Sequence, residues 1–122
     1  MALLIDLIKR FLKKFIHAFE GLWAGIRYDR SILVQFLIAF AAAVVFAILK
    51  ISFLEWMFVI NAMFVVIITE FLNSAIEDVC DLLVAKYDLH VKEIKDIAAA
   101  AVLLSAIYAV VVAVIIFWRH LV

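Results

Sequence analysis

The chain alternates long apolar runs with short charged stretches, and the spacing of its polar positions changes along its length. Over the first thirty residues Leu4, Ile8, Phe11, Phe15, Phe19 and Leu22 recur at helical spacing, while Asp6, Lys9, Arg10, Lys13, His17 and Glu20 occupy the other side. That pattern predicts an amphipathic helix lying in a membrane interface. From Ile32 to Leu49 the only polar residue is Gln35; about 18 residues give roughly 27 Å of helix, enough to cross a hydrocarbon core. A second apolar run starts at Trp56 and continues past Ile68, but it carries Asn61, Glu70, Asn73 and Glu77. The third, Ile97 to Phe117, has Ser105 and Tyr108 as its only side chains able to hydrogen-bond and ends at Trp118, Arg119 and His120, an interfacial anchor. The expectation is an all-α membrane protein forming one domain over residues 1–122: an interfacial helix over 1–30 and transmembrane helices over 32–49, 56–79 and 97–117.

Composition narrows this further. Hydrophobic residues make up 71% of the 122 residues, against about 45–50% in an ordinary soluble domain. Disorder and a second domain are both excluded, since a chain this short and apolar leaves no room for a linker. There is no proline and only two glycines, Gly21 and Gly25, so neither residue type breaks the spans. A β-barrel would need short alternating segments separated by turns. Asp6, Lys9 and Arg10 interrupt the apolar run that a secretory signal would need. A single Cys forbids an intrachain disulfide, and the balance of 11 basic against 11 acidic residues argues against nucleic acid as a partner.

The distribution of basic residues sets an expected orientation. Lys9, Arg10, Lys13, Lys14, Arg27 and Arg30 precede the first span, and Lys86, Lys92 and Lys95 lie between the second and third; Lys50 and Arg119 stand alone on the other side. The positive-inside rule then places the N-terminal helix and the second loop in the cytoplasm, the compartment that holds ATP.

Carboxylates at membrane depth are the chemical signal. An ionisable side chain at a bilayer centre costs about 2.5–3.5 kcal/mol on insertion scales. Yet Glu70, Asn73, Ser74, Glu77 and Asp81 fall within roughly 100° of one another on a helix. A second constellation, Lys95 and Asp96, stands at the mouth of the third span before the run Ala98, Ala99, Ala100 and Ala101, small residues that permit close helix approach. Asp29, just before the first span, lies level with the same end of the strip. Oxygen ligands of this kind suit Mg²⁺, and a Lys with an Arg suits phosphate. No glycine-rich phosphate loop, His-Glu-x-x-His or Cys pair occurs. His17, His90 and His120 are scattered as surface residues rather than metal ligands. On the residues alone two classes remain open. One is phosphoryl transfer. The other is a non-catalytic oligomeric membrane protein, a small transporter or proton-conducting subunit in which Glu70 and Glu77 carry ions.

At these residues the sequence resembles the prokaryotic diacylglycerol kinase family, which includes undecaprenol kinases. Glu70-Phe-Leu-Asn73-Ser74-Ala75-Ile76-Glu77 followed by Asp81 resembles the family's E-x-x-N-[ST]-A-I-E-x-x-x-D element. Lys95-Asp96 followed by Ala101-Val102-Leu103 resembles its K-D-x-x-x-A-A-V-L element. The resemblance implies Glu70 as catalytic base, Asp29 and Glu77 as metal ligands, and Arg10, His17, Asp29, Glu77, Lys95 and Asp96 as nucleotide contacts. It further implies Glu70 and Ala99 as substrate contacts, with Asn73, Ser74 and Asp81 in support. It also implies ATP and Mg²⁺, a membrane lipid alcohol as acceptor, and a homotrimer with sites between subunits in a bacterial inner membrane. Asp29 stands where the family usually has Glu, one methylene longer, and Leu33 and Gln35 stand where it commonly has Arg and Glu or His. Leu54-Glu55-Trp56 reads as the Gram-positive branch and leans towards undecaprenol.

Overall fold

The computed structural model describes residues 1–83, 86 and 88–122. Among them four helices follow in chain order, α1 (Ala2–Tyr28), α2 (Arg30–Ile48), α3 (Phe53–Leu83) and α4 (Leu89–Leu121), with no strand. The last three are long and apolar enough to cross a membrane, as the sequence predicts. Each differs in extent from its apolar run. Helix α3 continues through the charged turn to Leu83 and α4 begins at Leu89, because backbone hydrogen bonding does not stop where the hydrocarbon core does.

Side chains cap the starts of α2 and α4, and a backbone turn closes the end of α2. A single extended residue, Asp29 (φ −108°, ψ 110°), ends α1 and caps α2. Its Oδ1 accepts the backbone N–H groups of Ser31 at 2.9 Å and Ile32 at 3.3 Å, satisfying donors that a helix start otherwise leaves bare. Asp88 does the same for α4 through His90 and Val91. At the end of α2 the chain makes a Schellman turn. The Lys50 N–H reaches the Ala47 carbonyl, the Ile51 N–H reaches that of Phe46, and Lys50 takes the left-handed conformation (φ 53°) that glycine usually fills. Ile51 and Phe46, the pair such a turn brings together, are both buried in the core.

Helix α3 is the centre of the bundle: α4 packs along it most extensively, α2 less so, and α1 rests on α2. The buried cluster of Phe46, Ile51, Val59, Ala62, Val112 and Ile116 lies at the end of the bundle away from Glu70. Midway along α3 and α4, Thr69 Oγ1 meets Ser105 Oγ at 2.9 Å and the Tyr108 hydroxyl donates to Asn61 Oδ1 at 2.6 Å, the type of contact that holds helices together in lipid. No residue of α1 is buried. Its apolar side, including Phe11, Phe15 and Phe19, is exposed, as an interfacial helix requires.

One feature corrects the sequence reading. His120 is not a free surface residue: its Nε2 lies 3.0 and 3.1 Å from the two carboxylate oxygens of Glu55, which is itself buried. Arg119 Nη1 stands 3.7 Å from the same group. Glu55 also forms a capping box with Ser52, accepting the Ser52 N–H at 3.0 Å while its own N–H donates to Ser52 Oγ at 3.2 Å. The start of α3 is thus clasped to the end of α4. Ser52→Ala is expected to cost about 1 kcal/mol of stability as a lost cap, and adding His120→Ala should lower the thermal midpoint in detergent further. If the double variant melts with the single one, the clasp contributes nothing.

Candidate active site

The polar strip of α3 survives folding as one continuous face, graded in exposure. Glu70 and Asn73 are buried, Ser74 is half-buried, and Glu77 and Asp81 are exposed. Asn73 Nδ2 donates to Glu77 Oε1 at 3.1 Å, fixing that carboxylate about two turns beyond Glu70 on the same face. The amide oxygen of Asn73 is buried and has no hydrogen-bond partner among the described residues.

The joint between α1 and α2 meets this face. A Cβ added at Gly25 would run into the ring edge of Phe71, so only a glycine lets α1 approach so closely. Phe71 in turn packs edge-on against Phe36 of α2, centroids 6.4 Å apart. This three-helix contact brings Asp29 to Glu70: the carboxylates of Asp29 and Glu77 both lie within electrostatic range of Glu70. Glu70 makes no hydrogen bond among the described residues, which leaves its oxygens available.

Lys95 and Asp96 separate. Neighbours in sequence point about 100° apart on a helix. Lys95 bonds to the Asp81 carboxylate across the α3–α4 interface, with Glu77 also within its field, while Asp96 accepts from Lys92 one turn back along α4 at 2.6 Å. Within the chain, Lys95 is thus bridged to Asp81 beside Glu77 rather than held against its neighbour Asp96. Ala99 lies exposed one turn beyond Lys95, and Ala98 is buried. Arg10 and His17 are not brought to this cluster within one chain. Both are exposed on α1, His17 Nδ1 lies 3.3 Å from Glu20, and Arg10 is about 22 Å of helix from Gly25.

No three side chains among His, Cys, Asp and Glu gather closely enough, among the described residues, to cage an ion alone. Mg²⁺ needs no such cage, since it is commonly bound through one or two carboxylates and substrate phosphates while keeping its waters. Carboxylate and amide oxygens are the hard donors that cation prefers, whereas Zn²⁺ takes four ligands rich in nitrogen and sulfur.

Residues 16–117 match the model of the prokaryotic diacylglycerol kinase family. The chain belongs to that family. It is a membrane-embedded lipid kinase, and its three spanning helices and family place it in a bacterial inner membrane. It is 35% identical over 112 residues to an undecaprenol kinase of Bacillus subtilis, covering 90% of this chain and 89% of that one. It is 30% identical over 111 residues to diacylglycerol kinases of Escherichia coli and Shigella flexneri, covering 91% of each.

Proposed function

We propose that this kinase transfers the γ-phosphoryl group of ATP to the hydroxyl of a lipid alcohol, undecaprenol in the first instance, at the cytoplasmic interface of the membrane. The observation that carries this reading is the burial of Glu70 with unengaged oxygens between Asp29 and Glu77. An acceptor hydroxyl placed there would lose its proton to the Glu70 carboxylate as its oxygen attacks the γ-phosphorus of ATP and ADP leaves. Mg²⁺, held by Asp29 and Glu77, would neutralise charge developing on the transferring phosphoryl group. Asn73 positions Glu77 through its amide, and Lys95, on the same side, would meet nucleotide phosphates.

Undecaprenol is favoured by Leu54-Glu55-Trp56 and by the higher identity to the Bacillus enzyme. The basic residues of α1 and of the second loop favour a cytoplasmic N-terminus. A homotrimer accounts for Arg10 and His17, which one protomer leaves on an exposed helix and a neighbour could bring to the nucleotide.

The test is phosphate transfer from labelled ATP in vesicles holding the purified protein, Mg²⁺ and either undecaprenol or diacylglycerol. Label in undecaprenyl phosphate is the expected product. Label only in phosphatidic acid would reassign the acceptor, and label in neither would overturn the reading. Within the same assay Lys95→Met should raise the KM for ATP about tenfold, the scale of a lost charged hydrogen bond, with little change for the lipid. Asp81→Asn, which removes only the partner of Lys95, should not raise it. An equal rise in both variants would make the bridge a helix fastening and nothing more.

A further inference from the structure

The Lys95–Asp81 bridge is poorly suited to holding helices together. Its two side chains remain 35% and 66% exposed, and an ion pair so open to water contributes little to stability. Nor does the packing of α3 on α4 depend on it. Along the rest of the pair Thr69 meets Ser105, Tyr108 bonds Asn61, and His120 with Arg119 holds the buried Glu55. What the bridge does fix is the charge of Lys95. The ammonium donates to Asp81 and also lies in the field of Glu77, the residue one turn back along the same face of α3. Four positions amount to about 6 Å of helix. A lysine ammonium is a compact point charge on a flexible four-carbon stem, so it can pass from Asp81 to a group bound at Glu77 by side-chain rotation alone, with both helices in place.

We propose that Asp81 is the resting partner of Lys95 and thereby sets the affinity for ATP: the nucleotide enters by taking the ammonium from Asp81 onto its phosphate oxygens. The inference rests on the reading given above, in which Mg²⁺ at Glu77 brings the phosphates to this turn of α3. A phosphate then replaces a carboxylate, so Lys95 keeps a charge-assisted hydrogen bond before and after. Asp81 is released into water rather than into the bundle, since its side chain is already about two-thirds exposed. The exchange therefore costs ATP affinity what the exposed pair is worth and no more. Without nucleotide, the bridge keeps the ammonium off Glu77, which stays bonded to Asn73 and open to a cation. Asp81 is in this sense a positioning residue: it acts through Lys95 and touches no reacting atom.

A double-substitution cycle on the KM for ATP tests this, in vesicles holding Mg²⁺ and undecaprenol or dioleoylglycerol, whichever the parent phosphorylates. Asp81→Asn alone should lower that KM about threefold, the scale of an exposed ion pair, with kcat and the KM for the lipid unmoved. Asp81→Glu keeps the charge and still reaches Lys95, so it should behave as the parent. In the Lys95→Met background, Asp81→Asn should shift the KM for ATP by less than about 1.5-fold, because no ammonium remains to be released. A fall of equal size in both backgrounds would mean that Asp81 simply repels the nucleotide. A rise in the parent background would mean that Asp81 holds Lys95 in place for the phosphates. Either result overturns the proposal, as does an unchanged KM in Asp81→Asn or a fall in Asp81→Glu to match it. If Lys95→Met alone leaves the KM for ATP unchanged, the reading of Lys95 as a phosphate contact fails and the exchange with it. If Lys95→Met raises that KM while Asp81→Asn does not lower it, only the exchange fails.

Discussion

Glu70→Gln is expected to lower phosphoryl transfer by about two to four orders of magnitude, the contribution of a positioned general base. The substitution keeps volume, and because Glu70 makes no hydrogen bond to the described residues, no internal partner is lost with the charge. It also removes the repulsion from Asp29 and Glu77, so the variant should fold and assemble at least as well as the parent. A defect confined to kcat, with the KM for ATP unchanged, is the signature of a group that acts on the acceptor proton alone. A variant that turns over at near-normal rate would remove Glu70 from the chemistry and leave it as a buried polar residue joining helices.

The polar strip behind this expectation is accessible from sequence, because it depends on one helix, whereas the role of base for Glu70 comes from the family resemblance. The period of 3.6 puts Glu70, Asn73, Ser74, Glu77 and Asp81 on one side whatever α3 packs against, and the length of an apolar run measures itself against a bilayer. What depends on the relative rotation of two helices was not legible. The partner of Lys95 is Asp81, 14 residues away across the second loop, and not its neighbour Asp96, since the rotation of α4 against α3 is settled by packing along their whole length. His120 and Glu55 are 65 residues apart, and nothing in either segment names the other. The capping half of that cluster does carry a signal, Ser52-x-x-Glu55 before an apolar run, which the expected start at Trp56 passed over. Gly25 could be seen as one of two glycines but not as the point where α1 meets Phe71.

Asp29→Asn and Glu77→Gln should each move the Mg²⁺ concentration for half-maximal activity upward by about ten- to a hundredfold, the range seen even for groups that only support a metal ligand. A neutral amide is a poorer ligand than a carboxylate for a hard dication. Asp29 makes the comparison informative because it has two duties. Its Oδ1 caps α2 through Ser31 and Ile32, and Asn caps a helix about as well as Asp, so Asp29→Asn spares the joint and deletes only charge. Asp29→Ala deletes both and should add a loss of stability of about 1 kcal/mol. Glu77→Gln keeps an oxygen for the Asn73 amide to bond, which separates ligand chemistry from the hydrogen bond that orients it. An unchanged Mg²⁺ midpoint in Asp29→Asn, beside a destabilised Asp29→Ala, would make Asp29 a helix cap only. The same result in Glu77→Gln would leave the exposed end of the α3 strip as a solvated face and remove Glu77 from the proposed cation site.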